Sequence, residues 1–554
     1  MSGTTCSILG IVFECFQLDK NAPRLFGFPE LISGLALTML AWTVADIRYK
    51  FRIETAALDV TRLSIGAMFA LGFMTLLTDY WRASGGWVPV GDVLSHEGWQ
   101  FMLGLLFLLL LFNWLALALV APPAFNPRNA ARLTHHVEEL LLRGSTSELA
   151  IVADELVRSA PNIVRHASEN PDAQTFGNTE RCANTLLFAI ASPRFCNAVI
   201  EFAPQLIPAI FEAMSQQRKY RIFIGIFAQN ILASAINHRN SFAYTEQDFH
   251  RHGLLALRRT ITTAMFGDSH IVRAVDTLLD VSPSKSAPWE VEQWRAYCHC
   301  LIEAFESHLS GAKSDRPNTL RHAYRNLEMA YADLSRDLQL EHLSFRDDLY
   351  KRLETINELI KNMATLVERK KRAGDLQVLH VIDDVTGLIK RLFKAAASVQ
   401  KPYRVATKIQ RELLWENLLH ASEFRNYIAE QSVYPNETGK YIQDNVHQWL
   451  RSSITSCKDL DSYRLLGLCL ATLGFYPPEE GDEYGATWGE FHRWLICWTK
   501  QNIGRQLKHH SRMRNYCFVE GMTYEEQNNR LVLQLPPTEF GPSAPIYLDV
   551  NPPG

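Results

Sequence analysis

Apolar residues are spread unevenly along this chain of 554 residues: they crowd its first quarter in long runs and recur later mainly at helical spacing. Three early stretches approach the roughly 20 apolar residues that a bilayer's hydrocarbon core demands. They run from about Leu25 to Ala45, from Leu58 to Thr78, and from Trp99 to Ala121, the last reading FMLGLLFLLLLFNWLALALVA. The pattern predicts three membrane-spanning helices. The shorter run Ser7 to Phe16 cannot span and is expected as an interfacial helix or a hydrophobic plug.

Basic residues in the short flanks set the expected orientation. Arg48, Lys50, Arg52 and Arg62 lie between the first two runs, and Arg128, Arg132 and Arg143 follow the third. Against these seven stand three on the other side, Lys20, Arg24 and Arg82. This places the large C-terminal part in the cytoplasm at the plasma (inner) membrane, with the N-terminus outside. Tyr80, Trp81, Trp87 and Trp99 suit the outer headgroup boundary. Within the runs, Asn113 is the only clearly polar group deep in the third, and Gly66 with Ala70 forms a small-xxx-small pair. An anchor with some helix packing is the plain reading, and a pore would require several copies.

The character changes after Pro122, Pro123 and Pro127, so a transmembrane domain over 1–127 is followed by cytosolic helices over 128–310. Ser145 and Glu148 have capping-box spacing ahead of Leu149, Val152, Leu156 and Val157. The stretch from Thr185 to Ile236 continues as paired apolar helices that resemble HEAT or armadillo solenoid units in architecture, although no signature recurs at a fixed period. Over 311–430 three series alternate spacings of three and four, the coiled-coil or bundle pattern: Leu320 to Leu338, Leu349 to Val367, and Val378 to Leu392. A mixed domain over 431–554 carries a Trp-rich face (Trp488, Phe491, Trp494 or Leu495, and Trp498), and RLVLQLPP and PIYLDV alternate like short strands. The expected fold class is thus an all-α membrane protein with C-terminal strands.

The composition is 47% hydrophobic and 21% charged, which describes a folded chain. With 56 basic against 59 acidic residues and a net charge of −3, nucleic acid is not an expected partner. The ten cysteines form no CxxC pair, and those beyond the membrane region read as reduced thiols.

One cluster has metal-ligand chemistry: Glu246, Asp248, His250 and His252 within YTEQDFHRHG. In an extended segment all four share one side, and in a helix they pair at i,i+4, so oxygen and nitrogen donors converge in either form. An ordinary polar surface loop is the competing reading. Cys298-His299-Cys300 lacks the spacing of a structural zinc site and reads as buried thiols in a helix. Lys500, Arg505, Lys508, Arg512 and Arg514 make a basic stretch suited to an anionic surface or a solvated helix face. P-loop, GxSxG, HExxH and dinucleotide signatures are absent, and no cofactor is indicated.

The first expectation is a membrane-anchored scaffold or sensor acting through protein–protein interaction. A signal-gated oligomeric effector or pore is the second, and a membrane-bound metal-dependent enzyme the third. The expected partners are the lipid bilayer, a protein bound along the helical region and, for a pore, further copies as a homo-oligomer.

Overall fold

The computed structural model describes residues 4–8, 11–17, 25–44, 46–89, 96–120, 122–170, 177–246, 261–283, 288–311, 316–337, 348–372, 378–399, 404–419, 437–457, 459–477, 488–509, 517–519, 521–534 and 544–551. The described chain is mostly helical with two small antiparallel sheets. It divides into two compact units, Met1–Phe227 and Ala228–Gly554, a coarser division than the four segments expected from sequence.

The first unit begins with β1 (Thr4–Ile8) and β2 (Ile11–Gln17), which pair antiparallel. The run expected as an interfacial helix or plug is therefore a hairpin. Thr4, Thr5, Ile8, Ile11 and Val12 are β-branched and lose less side-chain freedom in a strand than in a helix. β3 (Trp87–Pro89) adds to β2, and the Gln17 side chain donates to the Gly85 carbonyl at 2.9 Å.

Three apolar helices follow: α1 (Phe28–Val44), α3 (Val60–Ala83) and α4 (His96–Leu115), the last continuing as a π-helix over Ala116–Val120. Two of them, Val60–Ala83 and Glu97–Leu115, are long and apolar enough to cross a membrane. α1 has 17 residues and spans roughly 26 Å at 1.5 Å per residue, so it falls short of the expected first span. The helices meet through Leu31, Leu71, Leu103 and Phe107. At the hairpin end, the N–H of Phe28 donates to Asp79 at 3.0 Å, that of Leu25 to Gln100 at 3.0 Å, and the Trp99 indole to Thr78 at 3.1 Å.

The outward faces are almost entirely hydrocarbon. Only 17% of the most apolar stretch of α3 or α4 is buried inside the protein, and Phe69 and Phe73 remain 77% and 63% exposed. Each such side chain in water would forgo roughly 1.5–3 kcal/mol of burial, and the band is compatible with a membrane protein. A third sequence that is apolar enough, Asn178–Ala189 with Pro193–Phe202, bends by 79°. Its Leu186, Leu187, Phe195 and Val199 are buried within the protein and it carries Glu180, Arg181, Arg194 and Glu201, so we read it as part of the polar-faced helical layer.

That layer consists of α5 (Ala130–Arg143), α6 (Thr146–His166), α7 (Asn178–Ala189), α8 (Pro193–Phe202) and α9 (Leu206–Gln217). α6 opens with the expected capping box, Ser145 and Glu148 each bonding the other's backbone N–H. It packs on α8 and α9, while α5 packs on α7.

In the second unit the heptad stripes face inward. Leu320, Leu327, Leu353, Ile360, Val385 and Leu392 are all buried. The helix Val378–Ala397 packs on Asn318–Asp337, Asp348–Arg372, Glu437–Ser456 and Leu460–Leu473. The two expected C-terminal strands form as β5 (Arg530–Leu533) and β6 (Ile546–Asp549), joined by β4 (Met522–Glu525), which the alternation did not reveal.

The Phe107 ring of α4 lies against the bare backbone of α1 at Gly34, where an added Cβ would be 2.6 Å from it. Gly34→Ile should lower the thermal midpoint of the detergent-solubilised protein by the equivalent of about 1–3 kcal/mol. Ala36→Ile, on the exposed face, should shift it by less than about 0.5 kcal/mol. Equal midpoints for the two variants would disprove this packing.

Candidate coupling site at the base of the apolar helices

Opposite the hairpin end, a short helix, α2 (Ile47–Glu54), joins α1 to α3. The Asp46 side chain caps its first turn, and Asp59 caps α3 by accepting the Arg62 N–H at 3.1 Å. Ile53, Ala56 and Val60 form a small core with Tyr49, Trp114 and Leu117 around them, so α2 closes the base of α3 and α4. Arg48 and Arg52, four residues apart, share one face of α2.

That face meets α6. The Arg52 guanidinium forks onto Glu155, Nε donating to Oε2 at 3.0 Å and the terminal nitrogen to Oε1 at 2.6 Å. Both side chains are buried, 7% and 5% exposed. The hydrogen bond to Glu155 holds the Arg52 guanidinium above its ordinary pKa, outweighing the opposing effect of burial. Beside it Arg48 pairs with Asp154 at 2.7 Å and reaches Glu155 at 3.7 Å. Two arginines thus straddle two adjacent carboxylates.

α5 completes the joint. His136 lies 2.9 Å from Glu54 with its ring against Phe51. The Asn129 amide donates at 3.0 Å to both Thr55 and Ala124 carbonyls, and Arg132 donates to the Ala56 carbonyl at 3.2 Å. The proline-rich connection after α4 is itself anchored, because Phe125 is wholly buried and its N–H donates to Ser159 at 3.0 Å. The apolar helices therefore meet the helical layer through a covalent strut and a polar clamp. The arrangement can transmit displacement, and it contains no nucleophile paired with a base.

Arg48 and Arg52 entered the sequence reading only as markers of orientation. One signal for the clamp was present: Glu155 falls inside the apolar stripe of α6, between Val152 and Leu156, where a carboxylate requires a buried partner.

The proposed metal cluster divides. Glu246 is buried and accepts from the Ile261 N–H at 2.8 Å, the Thr262 N–H at 2.9 Å and the Thr262 hydroxyl at 2.6 Å. Its carboxylate thus caps the helix Ile261–Phe266. Asp248, His250 and His252 lie outside the described residues. Among the described residues no three His, Cys, Asp or Glu converge in a way that could hold a metal ion. Cys298 and Cys300 are buried in the helix Val291–Ser310, and burial pushes both thiols far up, away from the reactive thiolate. Lys500, Arg505 and Lys508 are exposed on the helix Gly489–His509, and Arg512 and Arg514 lie outside the described residues.

The Trp-rich face is partly core. Trp488 and Phe491 are buried against Trp415, and His447 stacks on Phe491 with ring centroids 5.1 Å apart. Trp494 and Trp498 stack at the edge with the Arg451 guanidinium over Trp494. Burial, reinforced by the positive charge of Arg451 and opposed by Glu490, lowers the His447 pKa to about 4. No family model, curated protein or solved structure matches this chain.

Arg52→Met leaves the buried Glu155 with only the 3.7 Å approach of Arg48 and should cost about 3–5 kcal/mol, as should Glu155→Leu, whereas the double replacement should recover most of the loss. Thermal unfolding of the four proteins measures the coupling, and additive losses would show that the pair does not interact. His447 titrates at about 4 when folded against 6.5 ordinarily. Its stability contribution is therefore full above pH 6.5 and is lost as pH falls toward 4. His447→Phe should flatten that decline by about 3 kcal/mol, followed by denaturant midpoints across the window.

Proposed function

We propose that this protein is a membrane-anchored sensor or scaffold whose helical region engages a protein partner on the cytoplasmic side of the plasma (inner) membrane. In this reading α1, α3 and α4 all cross, the N-terminal hairpin is outside, and α5–α9 begin a solenoid-like cytosolic surface. The excess of Lys and Arg around α2 and α5 supports that orientation, since the rule counts basic residues rather than net charge. The strand pairing that gathers β1–β3 at the opposite end of the apolar helices supports it as well.

The observation that carries the proposal is the Arg52–Glu155 clamp. A tether needs only a flexible linker, whereas a buried, forked ion pair holds the helical layer in one orientation to the membrane helices. The burial of Cys298 and Cys300 and the capping role of Glu246 weigh against the enzyme reading. The clamp also favours a second reading, a gated effector, because it would carry a displacement of α5 and α6 into α3 and α4.

Affinity capture with the full-length protein from its own membranes, combined with ion leakage from reconstituted liposomes, separates the two. A stoichiometric partner whose capture is weakened by Glu155→Arg, and liposomes that stay tight with either protein, are the expected results. Failure to capture a partner at any salt, with leakage that responds to Glu155→Arg, would overturn the scaffold in favour of the effector.

A further inference from the structure

A groove of about 900 Å³ runs along the apolar helices, between α1 and α3, from Phe28 and Leu76 to Thr43 and Thr61 at their α2 end, floored there by Leu110, Leu111 and Trp114 of α4. Phe28 meets Asp79 at the opposite end, so fifteen residues along each antiparallel helix Thr43 comes level with Ser64. Thr43, Thr61 and Ser64 all line the groove at this end, whereas nearer the hairpin its walls are hydrocarbon apart from Thr38, whose hydroxyl donates to the Gly34 carbonyl of its own helix. Arg62 precedes the groove residues Ile65, Phe69 and Phe73 by three, seven and eleven positions, so it continues the same face of α3 one turn beyond them. Its side chain is 88% exposed. Its carboxylate partner Asp59, at 3.2 Å, is shared with Arg132 at 3.8 Å, which leaves this corner with two cations to one anion.

We infer that the groove holds one anionic phospholipid of the surrounding bilayer, an inference that presupposes the membrane placement proposed above. An acyl chain lies along Ile65, Phe69 and Phe73, and the phosphate sits among Arg62 and the Thr61 and Ser64 hydroxyls. The end-to-end polarity selects this occupant. A second copy's apolar helix would match the hydrocarbon walls but would bring nothing for a cation and three hydroxyls gathered at one mouth. A phospholipid carries both parts in that order, and basic mouths between membrane helices on the cytoplasmic side suit anionic headgroups.

The test reconstitutes the full chain in bilayers of equal parts phosphatidylglycerol and phosphatidylcholine, then counts retained lipids by native mass spectrometry. The wild type should keep one phosphatidylglycerol in preference to phosphatidylcholine. Arg62→Gln should reduce that retention about fivefold, the weight of one basic residue near an anionic headgroup, and Ser64→Trp should abolish it by filling the groove. Retention of no lipid, equal retention of both lipids, or an unchanged count in Arg62→Gln would overturn the inference, and that variant serves even if Ser64→Trp fails to fold. Loss of a dimer in Ser64→Trp with lipid unchanged would also overturn it, in favour of a second copy. Release of the protein from membranes by alkaline carbonate would instead refute the membrane placement, before any lipid is counted.

Discussion

The geometry of the N-terminal unit depends on one buried charge pair, the fork between Arg52 and Glu155. Neither group has much water around it, so burying either charge depends on the forked contact between them, with Arg48 a second cation near Glu155. The net stabilisation of such a pair is small, because desolvation offsets most of the attraction. Its consequence is positional. α2 is tied at both ends to apolar helices by only a few residues, so fixing α2 against α6 also fixes the bases of α1 and α3. Asn129 and Arg132 act in the same sense by occupying the carbonyls that the short link after α2 would leave unpaired.

Beyond that joint, two kinds of surface divide the unit. α5 and α6 bury one stripe and present polar residues outward, as amphipathic helices in water do. α3 and α4 reverse this, with small packed contacts inside and bare hydrocarbon outside. Helix association in lipid gains little from hydrophobicity and relies on close packing, which is why Gly34 against Phe107 matters and why an imperfect fit leaves a groove. The residues at the mouth of that groove are chemically distinct from those along its walls.

The second unit makes its case through packing. Several chemistry-bearing side chains are engaged: Glu246 in a helix cap, Cys298 and Cys300 in the core, and His447 in an aromatic stack, while Cys497 is exposed.

What the sequence determined alone was local and periodic. The apolar runs of α3 and α4, the capping box at Ser145, the inward stripes from Leu320 to Leu392 and the strands at β5 and β6 were legible because each depends on neighbours within a few residues. The hairpin at β1 and β2 was misread because a short apolar run has no decisive period and its partner β3 lies some seventy residues away. Only tertiary structure could decide that Arg52 belongs to Glu155, 103 residues on, or that Glu246 caps a helix fifteen residues later. A charge carries its sign in the sequence, but its partner is fixed by where the folded chain excludes water, and that depends on contacts no local pattern encodes.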